Sequence, residues 1–214
     1  MEAADRRVRR SRSALMRAAV SLVAERGTTN ITVSDIAETA DVSRQLVYQQ
    51  FGDRDSLLLA AALDLAATEL VPRITQPTVN ERARGLAAGE HFARHRPFYR
   101  AMLTGPCAFA LTKVLSDLLS PFNEHLVRRM STKPLTEELV ADLTVFVTGG
   151  WAAILNTWVI EGPDPLDPEE LTDRLLRMLP VISAGSTTHE PDESSHPARP
   201  EAGSTGHPGS DRPA

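Results

Sequence analysis

The sequence predicts an all-α protein, and three observations carry that prediction. Apolar residues recur at helical spacing along most of the chain, as in Leu15, Ala18, Ala19, Leu22 and Val23. Capping residues stand ahead of such runs at Ser43, Asp53 and Asp167. No segment reads as a strand.

The first helix is expected over Val8 to Arg26, with Gly27 as its stop. A second, about two turns long, begins near Thr32 or Val33, turns Ile36, Ala37 and Ala40 to one side and ends at Asp41. Ser43 caps a third through Gln50, and Asp53 caps a longer fourth running through Leu57, Leu58, Ala61 and Leu65 toward Pro72. Helical patterns then cover Val79 to Arg94, Phe98 to Leu103, and Phe109 to Met130 with a break expected at Pro121. Leu135 to Ile160 opens with Thr136-Glu137-Glu138 and ends at Gly162-Pro163. Asp167-Pro168-Glu169-Glu170 joins an N-cap, a first-turn proline and two dipole-matched acids, starting a last helix toward Ile182. From Ala184 the chain is rich in Pro, Ser, Gly and acids with no large apolar residue, so residues 184–214 are expected to be a disordered tail.

Composition limits the partners. The 214 residues are 42% hydrophobic and 24% charged, as in ordinary soluble proteins. A single cysteine, Cys107, excludes an internal disulfide and any multi-cysteine metal site. The N-terminus offers no secretory signal, because Arg17 interrupts the apolar run. Leu143 to Ile160 is uncharged, but its Thr, Gly and Asn residues dilute it, so a helix buried on most sides is expected rather than a membrane span. The net charge of −5 argues against nucleic acid until its distribution is seen. Through Leu59 there are nine Lys+Arg against eight Asp+Glu, and beyond it fourteen against twenty. Arg6, Arg7, Arg9, Arg10 and Arg12 form a basic cluster suited to phosphates, although a solvated terminus accounts for the same charges.

The third helix is unusual. At 3.6 residues per turn Val47 and Phe51 face inward. Arg44 with Tyr48, and Gln45 with Gln49, form two i,i+4 columns on the other side. Arg donates a fork to guanine and Gln pairs with adenine in the major groove, while Tyr48 and Ser43 reach phosphates. Thr32 and Ser34 at the front of the second helix suit backbone oxygens, and Arg54 opens the fourth beside free N–H groups. Helix, tight turn, helix over about 32–51 is the helix-turn-helix arrangement.

Leu15, Ala18-Ala19, Ala24-Glu25-Arg26-Gly27, Ile31-Thr32-Val33, Asp35-Ile36-Ala37, Ala40, Val42-Ser43, Tyr48, Phe51, Asp53-Arg54-Asp55 and Leu57-Leu58 occur in order. In these the first sixty-odd residues resemble the DNA-binding domain of the TetR/AcrR family of bacterial transcriptional regulators. Asp41 stands where that family usually has glycine, and Gly52-Asp53-Arg54 offers fewer cations than is common there. The resemblance implies a basic arm (1–7), a DNA-binding domain (8–68), and a helical ligand-binding and dimerisation domain (69–183). It implies a cytoplasmic, nucleoid-associated homodimer on double-stranded operator DNA, a repressor released from a palindrome by an apolar small-molecule effector. FVTGGWAAILNTWVIEG with DPLDPEELTDRLLRML is similar to the family's last two helices, which pair across a dimer. That suggests Gly149, Gly150, Leu155, Trp158, Leu175 and Leu179 for the interface; an incidental weak spot in a buried helix also accounts for the two glycines.

Phe92, Tyr99, Met102, Phe109, Phe122 and Trp151 are candidates for lining an effector cavity, with ordinary core packing as the alternative. His91 and His95 have metal-ligand spacing but no third ligand unless Glu90 or His125 comes near, so no metal, cofactor or catalytic residue is assigned. The readings set against a regulator are an all-α enzyme or metal-binding protein using those histidines, and a DNA-organising protein without an effector.

Overall fold

The computed structural model describes residues 2–131 and 134–181, with side chains from Arg6 onward, and among the described residues there is no strand. Helix α1 (Glu2–Arg26) is followed by α2 (Val33–Thr39), α3 (Arg44–Phe51) and α4 (Arg54–Leu65). Without interruption α4 passes through a π-helical turn (Ala66–Leu70) into α5 (Val71–Ile74). Then come α6 (Glu81–Arg94), α7 (Arg96–Thr104), α8 (Ala108–Met130), α9 (Glu137–Glu161) and α10 (Pro168–Leu176).

Local chemistry sets the boundaries of the first four. Thr32 Oγ1 accepts from the Asp35 N–H at 3.1 Å while Asp35 accepts from the Thr32 N–H at 3.3 Å, a reciprocal capping box. Ser43 Oγ accepts from Leu46 N–H at 3.3 Å and Asp53 Oδ1 from Ser56 N–H at 2.6 Å. Each cap satisfies an orphan donor and is worth about 1 kcal/mol. Between α2 and α3, Asp41 takes a φ of 52°, a left-handed conformation that a short polar side chain tolerates. Gly52, at φ 82°, ends α3.

The core threads both halves. Leu15, Ala19 and Val23 of α1 are fully buried with Ile36, Val47, Leu57, Leu58, Tyr99 and Met102, each large aliphatic contributing about 1.5–3 kcal/mol. A smaller cluster of Val127, Val140 and Val147 joins α8 to α9. Helix α10 lies close on α6: a Cβ at Gly89 would come within 3.0 Å of Pro168, and one at Gly85 within 3.0 Å of Thr172. Arg82 pairs with Asp173 and Glu169 to fasten the same two helices. The end of α9 is held by Arg96, which donates to the carbonyls of Val159 at 3.1 Å, Gly162 at 2.5 Å and Pro163 at 3.1 Å.

Several expectations are corrected. α1 begins at Glu2, so the basic arm continues the first helix rather than preceding it. Pro121 does not break α8: the proline is exposed while Leu118, Leu119 and Phe122 beside it pack on the core, and that burial offsets the missing N–H. α9 is not buried on most sides. It is long and apolar enough to cross a membrane by length and composition, yet only 28% of its apolar window is buried. α10 ends at Leu176, ahead of the expected Ile182, which lies outside the described residues, as does the expected tail.

The π-helical turn has a cause in the sequence. Pro72 has no N–H and its ring collides with the carbonyl four residues back in a regular α-helix. Widening the preceding turn, so that Val71 N–H reaches Ala66 O, relieves the crowding without ending the helix.

Candidate nucleic-acid interface and apolar cavity

Short helix α3 is anchored by one fully buried residue, Val47, and by the half-buried Leu46 and Phe51. Arg12 of α1 holds its far end, donating to Gln50 O at 3.0 Å and lying 4.2 Å over the Phe51 ring. One member of the basic cluster is therefore committed to the fold, while Arg6, Arg7, Arg9 and Arg10 are exposed along α1.

With its inner side fixed, α3 turns Ser43, Arg44, Gln45, Tyr48 and Gln49 to solvent. Tyr48 is 56% exposed. Arg44 donates to Ser34 Oγ of α2 at 3.4 Å, which draws the two helices' polar faces together. Thr32 and Ser34 are exposed on the same side, though the Thr32 and Ser43 hydroxyls already serve as caps. Arg54 is half-buried and donates through Nε to Asp55 Oδ1 at 2.8 Å, so its charge is partly engaged. Arg26 pairs with Asp35 at 2.6 Å, and that hydrogen bond leads in holding the Asp35 carboxyl below the ordinary carboxylate range.

The C-terminal helices enclose an apolar cavity of about 140 Å³. Phe92, Phe122 and Trp151 line it as expected. Tyr99 and Met102 do not: both are fully buried in the core, and the Tyr99 hydroxyl is spent on His91 Nε2 at 2.9 Å. Phe109 is 84% exposed, since the first turn of α8 aims it outward. Leu155, Leu175 and Leu179, expected at a dimer interface, also line the cavity, and Trp158 lies in the core. Of the interface candidates only Gly149 and Gly150 are exposed with open space around them. The wall has a few neutral polar groups: Asn123 donates to Thr148 at 2.8 Å and Asn156 to Thr112 at 3.1 Å. Trp151 Nε1 is buried without a hydrogen-bond partner. Leu70 and Ile74 close one side, and both belong to the helix that begins at Arg54.

Comparison with known proteins agrees with the head. Residues 15–61 match the family model described as bacterial regulatory proteins, tetR family. A stretch of 54 residues is 41% identical to the HTH-type transcriptional regulator BetI of Rhizobium meliloti (strain 1021), covering 25% of this chain and 27% of that protein. The match thus spans about a quarter of the curated relative's length. The complete fold resembles solved structures at low identity. The dihydroxyacetone kinase operon activator DhaS aligns with a TM-score of 0.56 at 19% identity, over 81% of this chain and 96% of that one. FadR of Thermus thermophilus, a TetR-family transcriptional repressor in complex with lauroyl-CoA, aligns with a TM-score of 0.53 at 20% identity, over 86% and 99%. Residues 15–61, with the helix-turn-helix geometry that they adopt, are thus similar to the tetR family of bacterial regulatory proteins over that part of the chain.

Proposed function

We propose that the protein is a homodimeric, sequence-specific DNA-binding transcriptional regulator, a cytoplasmic repressor whose hold on a palindromic operator is released by a small apolar effector. The observation that carries this reading is the outer face of α3, where Arg44, Gln45, Tyr48 and Gln49 project together from an element rigidly seated on Val47 and Arg12. Arg44 and Gln45 read base edges; Tyr48, Ser34, Thr32, Ser43 and Arg54 meet the backbone. In this division residues 8–68 read DNA and 69–183 bind the effector and the partner subunit.

The exposed side of α9 supports dimerisation. Val145 (73% exposed), Phe146 (67%), Gly149, Gly150 and Ala153 form an apolar, small-residue stripe that a second copy would cover. A two-fold pair spaces two reading helices by about one turn of DNA.

The cavity supports an effector that is largely apolar and carries a hydrogen-bond acceptor for Trp151 Nε1–H. At about 140 Å³ it takes one small ring or short chain as it stands, and a longer molecule by parting the helices. FadR, of like fold, holds an acyl-CoA.

An unbiased selection of random duplexes with the purified protein tests the reading, alongside sedimentation for its oligomeric state. Enrichment of an inverted repeat by a dimer is expected. A stable monomer, or no enriched sequence, would overturn it.

A further inference from the structure

Where the long α4–α5 helix widens into its π-helical turn, Glu69 is brought against α6, opposite His91 and His95. We propose that Glu69, His91 and His95 form a binding site for one divalent transition-metal ion of the zinc class. The sequence shows only the two histidines one turn apart. The third donor is 22 and 26 positions upstream of them; of the two residues that the sequence offered, Glu90 is engaged with Arg73 and His125 is not part of the cluster.

The geometry suits a metal. One atom from each residue lies within 4.8 Å of the others. His95 Nε2 is 2.7 Å from Glu69 Oε2, and His91 Nδ1 is 3.7 Å from the same oxygen. Ligands at about 2.0–2.2 Å in a tetrahedron stand roughly 3.3 Å apart. The first pair would therefore open by about 0.6 Å and the second close by about 0.4 Å. Rotations of the partly exposed Glu69 and His95 side chains, with His91 fixed, supply such shifts.

His91 provides an independent indication. Its side chain is 1% exposed, and its Nδ1 is buried with no hydrogen-bond partner, a vacancy costing about 1–3 kcal/mol in an ordinary core. Its other nitrogen meets the Tyr99 hydroxyl at 2.9 Å. Donation from Nε2–H to Tyr99 leaves the Nδ1 lone pair aimed at the cluster, the second-shell arrangement by which proteins orient ligating histidines.

Two imidazoles and one carboxylate favour zinc, cobalt(II) or nickel over magnesium or calcium, which prefer oxygen. Half-exposed Glu69 and His95 leave a side open to water for the remaining coordination. Arg94 lies at the rim, 3.9 Å from Glu69 and 64% exposed, and it competes for the carboxylate.

The full chain, stripped with chelator, is titrated with cobalt(II) chloride while the visible ligand-field bands are recorded, and with zinc chloride by calorimetry. One ion per chain is expected, with a rise in Tm. Glu69→Gln and His95→Gln should each weaken binding at least tenfold, Tyr99→Phe roughly tenfold with unchanged stoichiometry, and Arg94→Ala should tighten it. Far-UV circular dichroism confirms folding, and because Glu69 and His95 are partly exposed, one variant suffices if the other misfolds. Absence of any bound ion would overturn the proposal. So would wild-type affinity in Glu69→Gln or His95→Gln, which would assign the metal to His125 or to the tail's His189, His196 and His207.

Discussion

Arg44 and Gln45 occupy the exposed side of a helix with only one fully buried anchor, so on the proposed function replacing them should change what is read without loosening what is packed. Arg44→Ala and Gln45→Ala are each expected to lower the preference for the selected operator over random duplex by about 1–3 kcal/mol. Melting temperature should hardly move. Gel-shift titrations with both duplexes check this, and undiminished discrimination in the pair would remove α3 from the reading role. Arg12→Ala should behave oppositely. It loses a hydrogen bond to Gln50 O and a cation–π contact, together about 1–2 kcal/mol of stability. Its effect on DNA binding should be equal for all sequences, through a less rigid α3. Denaturant titration alongside the gel shift separates the two. The caps at Ser43 and Asp53 were legible in the sequence because their partners sit within one helical turn. Arg12, Arg96 and Glu69 were not, because their partners lie 38, 63 and 26 residues away and only the fold brings them together.

Among the elements, the helices of the head were read closely, since side-chain caps, a left-handed Asp41 and a glycine stop are local chemistry. The C-terminal helices were found but their faces were misassigned. Leu155, Leu175 and Leu179 look the same in sequence whether they meet a partner subunit or line a cavity, and Phe109 carries no sign that its turn of α8 is outermost. α9 has apolar residues nearly all round, so periodicity marks no inner side. Its exposed stripe defines an element-scale prediction. Phe146→Glu places a charge on the stripe without touching the buried Val140, Val147 and Val159. Dimer dissociation is expected to rise at least tenfold in sedimentation equilibrium, with operator affinity falling alongside. An unchanged dimer would move the interface elsewhere. At the head, hydrogen bonding led by the Ser56 N–H holds the Asp53 carboxyl below its ordinary 3.8, and Arg26 leads in doing so at Asp35. Both caps thus add stability that is present above about pH 4 and lost as acid protonates them. Asp53→Asn, which keeps a capping oxygen, should flatten the acid limb of a denaturation series.

Across the whole molecule one covalent strut joins the proposed effector site to the proposed reading head. The helix that begins at Arg54 beside α3 continues through the π-helical turn to Leu70 and Ile74 in the cavity wall, so a molecule that parts the wall is expected to tilt the strut. Only a difference in affinity between the two positions of the strut drives the switch. A near-complete one requires about 5.5 kcal/mol. The coupling is reciprocal: an effector that weakens operator binding about 100-fold must itself bind about 100-fold more weakly to the operator complex. Ala152→Phe tests the route, because Ala152 lines the cavity from α9, away from the reading helix. Filling the space with a phenyl ring should abolish cavity binding of the apolar dye 1-anilinonaphthalene-8-sulfonate and remove effector release, while operator affinity stays within about threefold of wild type if distant sites are independent. Dye binding at wild-type stoichiometry would show that the ligand enters elsewhere. Loss of operator affinity in the unliganded variant would show instead that the phenyl ring displaces the strut as an effector does, fixing the cavity as the control point by a different outcome.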